Sequence, residues 1–450
     1  MKSITKQAYQ LMHEGILALA EIERNGICID IEYCEKAKKE LHKKIEAERT
    51  KLYEFEEVKQ WKRRFGVTFN LESSHQLAKV LYEDMGCKPS KMTENENPSV
   101  DQFALESIDH PMIRSLLRIR QLEKTKSTYL GNIVRETVNR KLHPFFNLHT
   151  VKTFRSSSQD PNFQNIPVRD PEIKEIVRRA FIPRPGHRIG GSDYKGIEVR
   201  VACLYHQDPS MLKYLNDPAS DMHRDVSMDC YMIEDTELVT KNIRYCGKNK
   251  FTFPEFYGDY YKNCAKALWD AISQMGLKLT DGTPLKEHLR DKGIKSYQRF
   301  ERHIEDVEYR FWNEKFPVYK QWKEDWYRAY EKKGYFDTLT GFRCSGVMEK
   351  NDVVNYPVQG VAFHCLLWSL IQLQRWMKQE KLRSKIIGQV HDEITKDLHN
   401  DEFMYVLRNE RKIMCEDIKE HWIWLKIVPL DIAVSFAGVD RPWNEAEEEK

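Results

Sequence analysis

Two acidic segments hold the residue types that phosphoryl transfer needs. Gly190-Gly-Ser-Asp-Tyr-Lys-Gly-Ile-Glu-Val-Arg200 and Ile386-Ile-Gly-Gln-Val-His-Asp-Glu-Ile394 put Asp193 and Asp392 at the ends of apolar runs, 199 residues apart. A short apolar run meeting an acidic turn is how a strand delivers a carboxylate to a sheet edge, within reach of a hard, oxygen-seeking cation. Two such strands side by side would make a two-metal site, in which ions about 3.5–4 Å apart activate an attacking oxygen and stabilise a leaving one. Taken singly, each aspartate is as readily a capped turn.

Between them lies Arg244-Tyr-Cys-Gly-Lys-Asn-Lys-Phe-Thr-Phe-Pro-Glu-Phe-Tyr-Gly258. Arg244 and Lys248 are four apart and share a helix face, as do Phe253 and Tyr257. Cations on one face can hold a triphosphate while the aromatics pack against a base or sugar. A surface helix with an aromatic core stripe is the alternative, and this segment alone leaves both open.

The elements that must position these groups read as mixed α+β. Residues 5–65 give an amphipathic helix (Tyr9 to Glu23), a break at Gly26, a short strand, and a long Lys/Glu-rich helix from Ile31 to Phe65. A capping serine opens a helix near 73, residues 88–100 form a loop, and a basic helix spans 111–140. Residues 148–170 are polar and turn-prone, 181–205 combine strand and helix, and 221–335 are mostly helical with a break near 278–284. The end of the chain alternates hairpin, helix (Val358 to Gln379), hairpin, helix (Asp401 to His421) and a last strand.

Composition narrows the classes further. With 450 residues, 41% hydrophobic and 31% charged, the chain has material for a folded core of several subdomains and too much pattern for disorder. Net charge is only +3, yet eight cations face Glu123 and Glu136 within 113–141, either a solvated helix face or a phosphate-backbone contact. Ten scattered cysteines show no zinc spacing, which fits a reducing compartment, and no apolar run approaches the roughly 20 residues of a membrane span. A P-loop is absent from the sequence.

Read together, these segments resemble motifs A, B and C of the family A DNA polymerases, the group typified by bacterial DNA polymerase I. Asp193-Tyr-Lys-Gly-Ile-Glu-Val-Arg200 is similar to the family's D-Y-S-Q-I-E-L-R, and Gln389-Val-His-Asp-Glu393 to its Q-V-H-D-E. Arg155-Ser-Ser-Ser-Gln-Asp-Pro-Asn-Phe-Gln-Asn-Ile-Pro167, Thr338-Leu-Thr-Gly-Phe-Arg343 and Asn355-Tyr-Pro-Val-Gln-Gly360 agree in order, so the likeness runs from about Glu14 to Trp443.

The resemblance implies a right-hand polymerase fold with an antiparallel palm sheet, helical fingers and a helical thumb. Residues 1–35 would lead into a thumb at 36–145, with palm at 146–215 and 336–450 and fingers at 216–335. It implies two Mg²⁺ ions, replaceable by Mn²⁺, on Asp193, Asp392 and the Tyr194 carbonyl, with Glu393 as an accessory carboxylate. His223, Arg244 and Lys248 would clamp phosphates, Lys248 protonating the departing pyrophosphate. Arg178, Glu198, Phe253 and Tyr257 complete the implied nucleotide site, with Glu198 excluding a 2′-hydroxyl. Arg155, Asn355, Gln359 and His391 would hold the primer-terminal pair, and Lys124 and Lys126 the duplex backbone.

Implied partners are primer–template DNA, deoxynucleoside triphosphates, and a separate 3′–5′ exonuclease or processivity factor. A monomer in a bacterial or phage-infected cytoplasm is expected, with no membrane partner and no exonuclease domain ahead of the thumb. A single-subunit RNA polymerase and a catalytically silent DNA-binding module are the rivals. Glu198 and the H-D-E of motif C argue against the first, the intact carboxylates against the second.

Some positions depart from the family pattern. Lys248 and Phe253 are five apart, one more than usual, which turns the lysine about 100° unless a one-residue π-bulge absorbs the extra residue, and makes Lys250 a rival. Pro254 sits inside the expected helix, Asn351 replaces a usual arginine, and Gly196 replaces a polar residue. Phage-encoded members of the family can look like this segment.

Overall fold

The computed structural model describes residues 5–93, 95–167 and 170–449. Thr5 caps the first helix, α1 (Lys6–Asn25), its hydroxyl 3.3 Å from the Ala8 amide, and Gly26 ends it at φ +63°. The second helix, α2 (Ile31–Glu54), starts on Asp30, whose carboxylate accepts from the Tyr33 amide at 2.9 Å. The charged stretch expected as one helix to Phe65 breaks at Phe55, which is extended, and resumes at Glu56–Phe65. α2 packs along α3 (Pro111–Lys124), and Arg49 pairs with Glu123 between them. The basic helix runs on through a wide π turn, Thr125–Gly131, and stops at Glu136, short of the expected 140.

The strand β1 (His187–Tyr194) carries the first acidic segment, and the chain leaves it through Gly196, left-handed at φ +59°, into α4 (Ile197–His206). A helical block follows: α5 (Met222–Tyr231), α6 (Lys241–Gly247), a π turn (Lys248–Thr252), α7 (Phe253–Tyr257), more helices, and α8 (Pro317–Lys333). Buried Asp208 ties the two ends of this block together. One of its oxygens accepts from the Ser210 and Met211 amides at 2.9 and 3.3 Å, the other from the Val318 and Tyr319 amides at 3.0 and 3.1 Å.

Then come α9 (Lys350–Gln379), β2 (Lys385–Val390), β3 (Glu393–His399), α10 (Phe403–Lys412), β4 (Ile432–Phe436) and β5 (Glu447–Glu448). The expected helix began at Val358; α9 begins at Lys350 and runs through Pro357. Proline has no N–H and frees the carbonyl four residues back. That carbonyl, of Val353, accepts instead from the Trp326 indole of α8 at 3.0 Å, so the acceptor the proline frees is paired. The main sheet is antiparallel throughout, in the order β5-β4-β1-β3-β2, with α9 and α10 against one face. Mixed α+β is the observed class. Among the described residues no helix is long and apolar enough to cross a membrane.

Candidate active site

The two acidic segments meet at one end of the central strand pair. Asp193 stands directly opposite Glu393 in the β1–β3 register, and Val390 opposite Glu393 in the β2–β3 hairpin. Asp392 was expected at the end of a strand. It lies instead in the two-residue turn between β2 and β3, next to His391 at φ +52°. A hairpin tip with one left-handed residue turns the chain sharply and leaves the neighbouring carboxylate at the edge.

Glycine and glutamine shape this edge. A Cβ at Gly191 would lie 2.2 Å from Glu393 Oε1, so the glutamate crosses the space an absent side chain leaves, where Thr395 donates to it at 3.1 Å. Buried Gln389 donates to the His391 carbonyl, and its own oxygen accepts from Ser156 at 2.6 Å and Gln164 at 2.7 Å. The hairpin tip is thereby tied to the 155–165 segment. Both residues lie in motifs quoted from the sequence, but their joint role has no sequence signal, since Gln164 and Gln389 are 225 residues apart.

Desolvation sets the charge state of the edge. Asp193 is open to solvent on one side, yet the protein crowded round it, then Asp392 and Glu393, push its pKa up to about 7. Burial, with the Glu198 charge, raises Asp392 to about 6, against the pull of Arg155. Burial also raises Glu393. Asp392 Oδ1 is buried without a hydrogen-bond partner. An orphaned carboxylate oxygen beside a second desolvated carboxylate is a hard-oxygen donor set, and so it fits Mg²⁺ or Mn²⁺. Among the described residues no three or more His, Cys, Asp or Glu side chains are grouped so as to hold a metal ion.

The cationic helix faces this edge. Lys248 is among the charges acting on Asp193, and its Nζ lies 5.2 Å from the Phe253 ring centroid. The extra residue is absorbed by the π turn Lys248–Thr252, and the Gly247 carbonyl accepts from the Thr252 hydroxyl at 3.0 Å. Burial and the Arg244 charge lower the Lys248 pKa, with Asp193 and Asp221 opposing. Lys250 acts on Cys246. Arg244 Nε is held by Asp221 at 2.6 Å. His223 lies edge-on to Phe253 at 5.5 Å, with Nδ1 buried and unpartnered, and burial beside Lys248 and Arg244 lowers its pKa to about 4.

A polar chain links this helix to the acidic edge. Tyr257 Oη donates to Glu198 Oε2, Arg155 donates to Glu198 Oε1, and the same guanidinium lies 3.9 Å from Asp392 Oδ1. Arg155 Nε also donates to the Gln359 carbonyl at 3.2 Å, and Asn355 Nδ2 to the Tyr257 carbonyl at 3.2 Å. Asn351 lies over Gly258, where a Cβ would come within 2.3 Å of its Oδ1. So the residue standing where the family has an arginine packs against the end of α7.

The pattern described as DNA polymerase family A matches residues 31–276 and 301–444. The chain belongs to DNA polymerase family A. It is 29% identical over 447 residues to the thermostable DNA polymerase I of Thermus filiformis, covering 96% of this chain and 47% of that protein. It is 27% identical over 445 residues to DNA polymerase I of Geobacillus stearothermophilus, covering 95% and 45%. The chain thus spans about half the length of the curated relatives it matches. The solved polymerase domain of Pol1 from M. smegmatis, in complex with DNA primer-template and dNTP, superposes with a TM-score of 0.76 at 23% identity, covering 96% of this chain and 70% of that one. The right-hand polymerase fold follows from that likeness.

Three more of the expected site residues have surroundings of their own. Arg178 stacks on Trp443, guanidinium 4.3 Å from the ring, with Nε buried and unpartnered and Glu393 of the acidic edge as the charge acting on it. Lys124 lines a cleft of about 970 Å³ that runs between α3 and residues 161–167, with Arg114, Arg118, Tyr129 and Gln164, and reaches His391 beside Asp392. Lys126 is not among the lining residues and turns toward His42 of α2, 3.5 Å away.

Proposed function

We propose that this chain is a template-directed DNA polymerase that adds deoxynucleotides to a primer 3′-hydroxyl and releases pyrophosphate. The observation that carries the reading is the meeting of Asp193, Asp392 and Glu393 at one sheet edge, opposite the Arg244–Lys248 helix. An oxygen-rich edge facing a cationic one is what an incoming triphosphate requires on its two sides.

Asp193 and Asp392, with the Tyr194 carbonyl, would hold two Mg²⁺ ions, for which Mn²⁺ can substitute. When bound, the ions lower the pKa of the attacking hydroxyl and stabilise charge on the leaving oxygen. The protein does the rest by positioning. Arg244, kept in place by Asp221, and neutral His223 bind the β and γ phosphates, while Lys248, its pKa lowered, gives its proton to the departing pyrophosphate. Phe253 lies against the sugar, and Glu198, pinned between Tyr257 and Arg155, fills the space a 2′-hydroxyl would need. Arg178, stacked on Trp443, is assigned to the nucleotide site through its charge on Glu393.

Arg155, Asn355, Gln359 and His391 are assigned to the primer terminus, where minor-groove acceptors report correct pairing without reading sequence. The cleft lined by Arg114, Arg118 and Lys124 supports the duplex path, since its cations face one channel that ends at His391. In this reading residues 36–145 are the thumb, 146–215 and 336–450 the palm, and 216–335 the fingers. Primer extension on a DNA template, with dNTPs or rNTPs supplied separately, tests the assignment. Extension with dNTPs alone supports it, and extension only with rNTPs would favour the RNA polymerase rival.

A further inference from the structure

On the face of the sheet turned away from the cleft lies an ion pair that no step above uses. Lys396 Nζ pairs with Glu410 Oε1, and both side chains are 0% exposed. Ser192 joins them, accepting from Lys396 at 2.7 Å and donating to Glu410 Oε2 at 2.8 Å. Alternation along β1 sends Ser192 and Tyr194 to this face and Asp193 to the other. Tyr194 is anchored there too, its hydroxyl donating to the Met414 carbonyl at 2.8 Å and lying 2.9 Å from Ser369 Oγ. Glu410 and Met414 are about one helical turn apart. Both chain neighbours of Asp193 are therefore bonded to one stretch of helix behind the sheet.

Such a pair is poorly explained as a source of stability. Two charges taken out of water lose hydration that their attraction does not always return, and apolar residues of similar size often stabilise as well or better. Directional bonds do something apolar packing does not: they fix the height of one strand against the helix behind it. We propose that the Lys396–Glu410 pair, acting through Ser192, is a positioning device that holds Asp193 at the height from which it shares a cation with Asp392. The proposal rests on the reading of Asp193 as a metal ligand.

The test replaces both charges at once, Lys396→Met with Glu410→Leu, so that no lone charge is left buried. The double variant is expected to unfold at or above the wild-type temperature, with dNTP KM and primer affinity within about twofold. Its kcat and its Mn²⁺ affinity, followed by electron paramagnetic resonance, should fall roughly tenfold or more, as when supporting groups behind metal ligands are lost. Amide hydrogen exchange across residues 190–195 of the metal-free protein should quicken. Exchange and Mn²⁺ affinity within twofold of wild type would overturn the proposal. Ser192→Ala, which keeps the pair and removes its link to β1, should shift both readouts the same way, and a wild-type-like Ser192→Ala overturns it even if the double variant fails to fold. Asp193→Asn serves as the reference: if it binds Mn²⁺ like wild type, the metal-ligand reading has failed rather than the positioning role.

Discussion

Lys248 and Phe253 are five residues apart, yet the lysine ammonium lies 5.2 Å from the phenylalanine ring because the turn between them is a π turn. In a regular α-helix five steps would rotate Lys248 away from the face that carries Phe253. The widened turn also separates Lys248 from Lys250: Lys248 acts on Asp193, whereas Lys250 acts on Cys246. Lys248→Ala should therefore slow single-turnover incorporation by about 10²-fold, the usual worth of a positioned proton donor, and Lys250→Ala by no more than a few-fold. Equal losses would mean that the turn does not select between them.

Glu198 is gripped by Tyr257 and Arg155, so its side chain has little freedom to make room for a larger sugar. Glu198→Ala should raise ribonucleotide incorporation relative to deoxynucleotide by roughly tenfold or more. Phe253→Tyr should relax discrimination against dideoxynucleotides by a similar factor, because the added hydroxyl supplies the polar contact that a missing 3′-hydroxyl leaves open. Competitive incorporation assays read both ratios directly. An unchanged dideoxy preference would remove Phe253 from the sugar.

The carboxylates at the sheet edge make stability depend on pH in a defined direction. Asp193 titrates near 7 and Asp392 near 6 in the folded protein, both above an unfolded carboxylate near 4, so the native state binds more protons between these values. Stability of the metal-free protein falls as pH rises through that window. Asp193→Asn removes one of the repelling charges. Its melting temperature should match wild type near pH 4 and exceed it by about 1–2 °C at pH 8, a gap that Mg²⁺ narrows by stabilising only the wild type. Scanning calorimetry at the two pH values measures the difference.

Asp208 holds four backbone amides with one buried carboxylate, joining the two ends of the helical block at 209 and 318. Asp208→Ala strips the caps from two helices at once and should destabilise by about 2–4 kcal/mol. Urea denaturation reads the loss. Asp208→Asn, which keeps one good acceptor, should lie between.

Much of the site was legible because its signals are local. Asp193, Glu198, His391 and Asp392 announce themselves within a few residues of an apolar run, and the basic stretch 113–141 does become a wall of a cleft. What escaped depends on partners distant in sequence or on backbone hydrogen bonding. The letters around Lys248 permitted either a rotated lysine or a bulge, and the difference lies in which carbonyl each amide finds, together with the Thr252 hydroxyl on Gly247. α9 begins eight residues earlier than expected because Trp326, far upstream, satisfies the carbonyl that Pro357 frees. Lys396 reads as an ordinary polar residue of a strand until Glu410 and Ser192 are seen beside it. Arg178, counted with the nucleotide site by resemblance, shows its stacking on Trp443 only in the fold.

The most direct measurement is primer extension by Asp392→Asn, the change that removes charge from the carboxylate whose Oδ1 is buried and unpartnered. The variant should bind primer–template with wild-type affinity and show at least about 10³-fold slower nucleotide addition at saturating Mg²⁺ and dNTP, since one of the two carboxylates that would hold the ions is lost. Full extension at the wild-type rate would contradict the two-carboxylate site and the polymerase reading built on it.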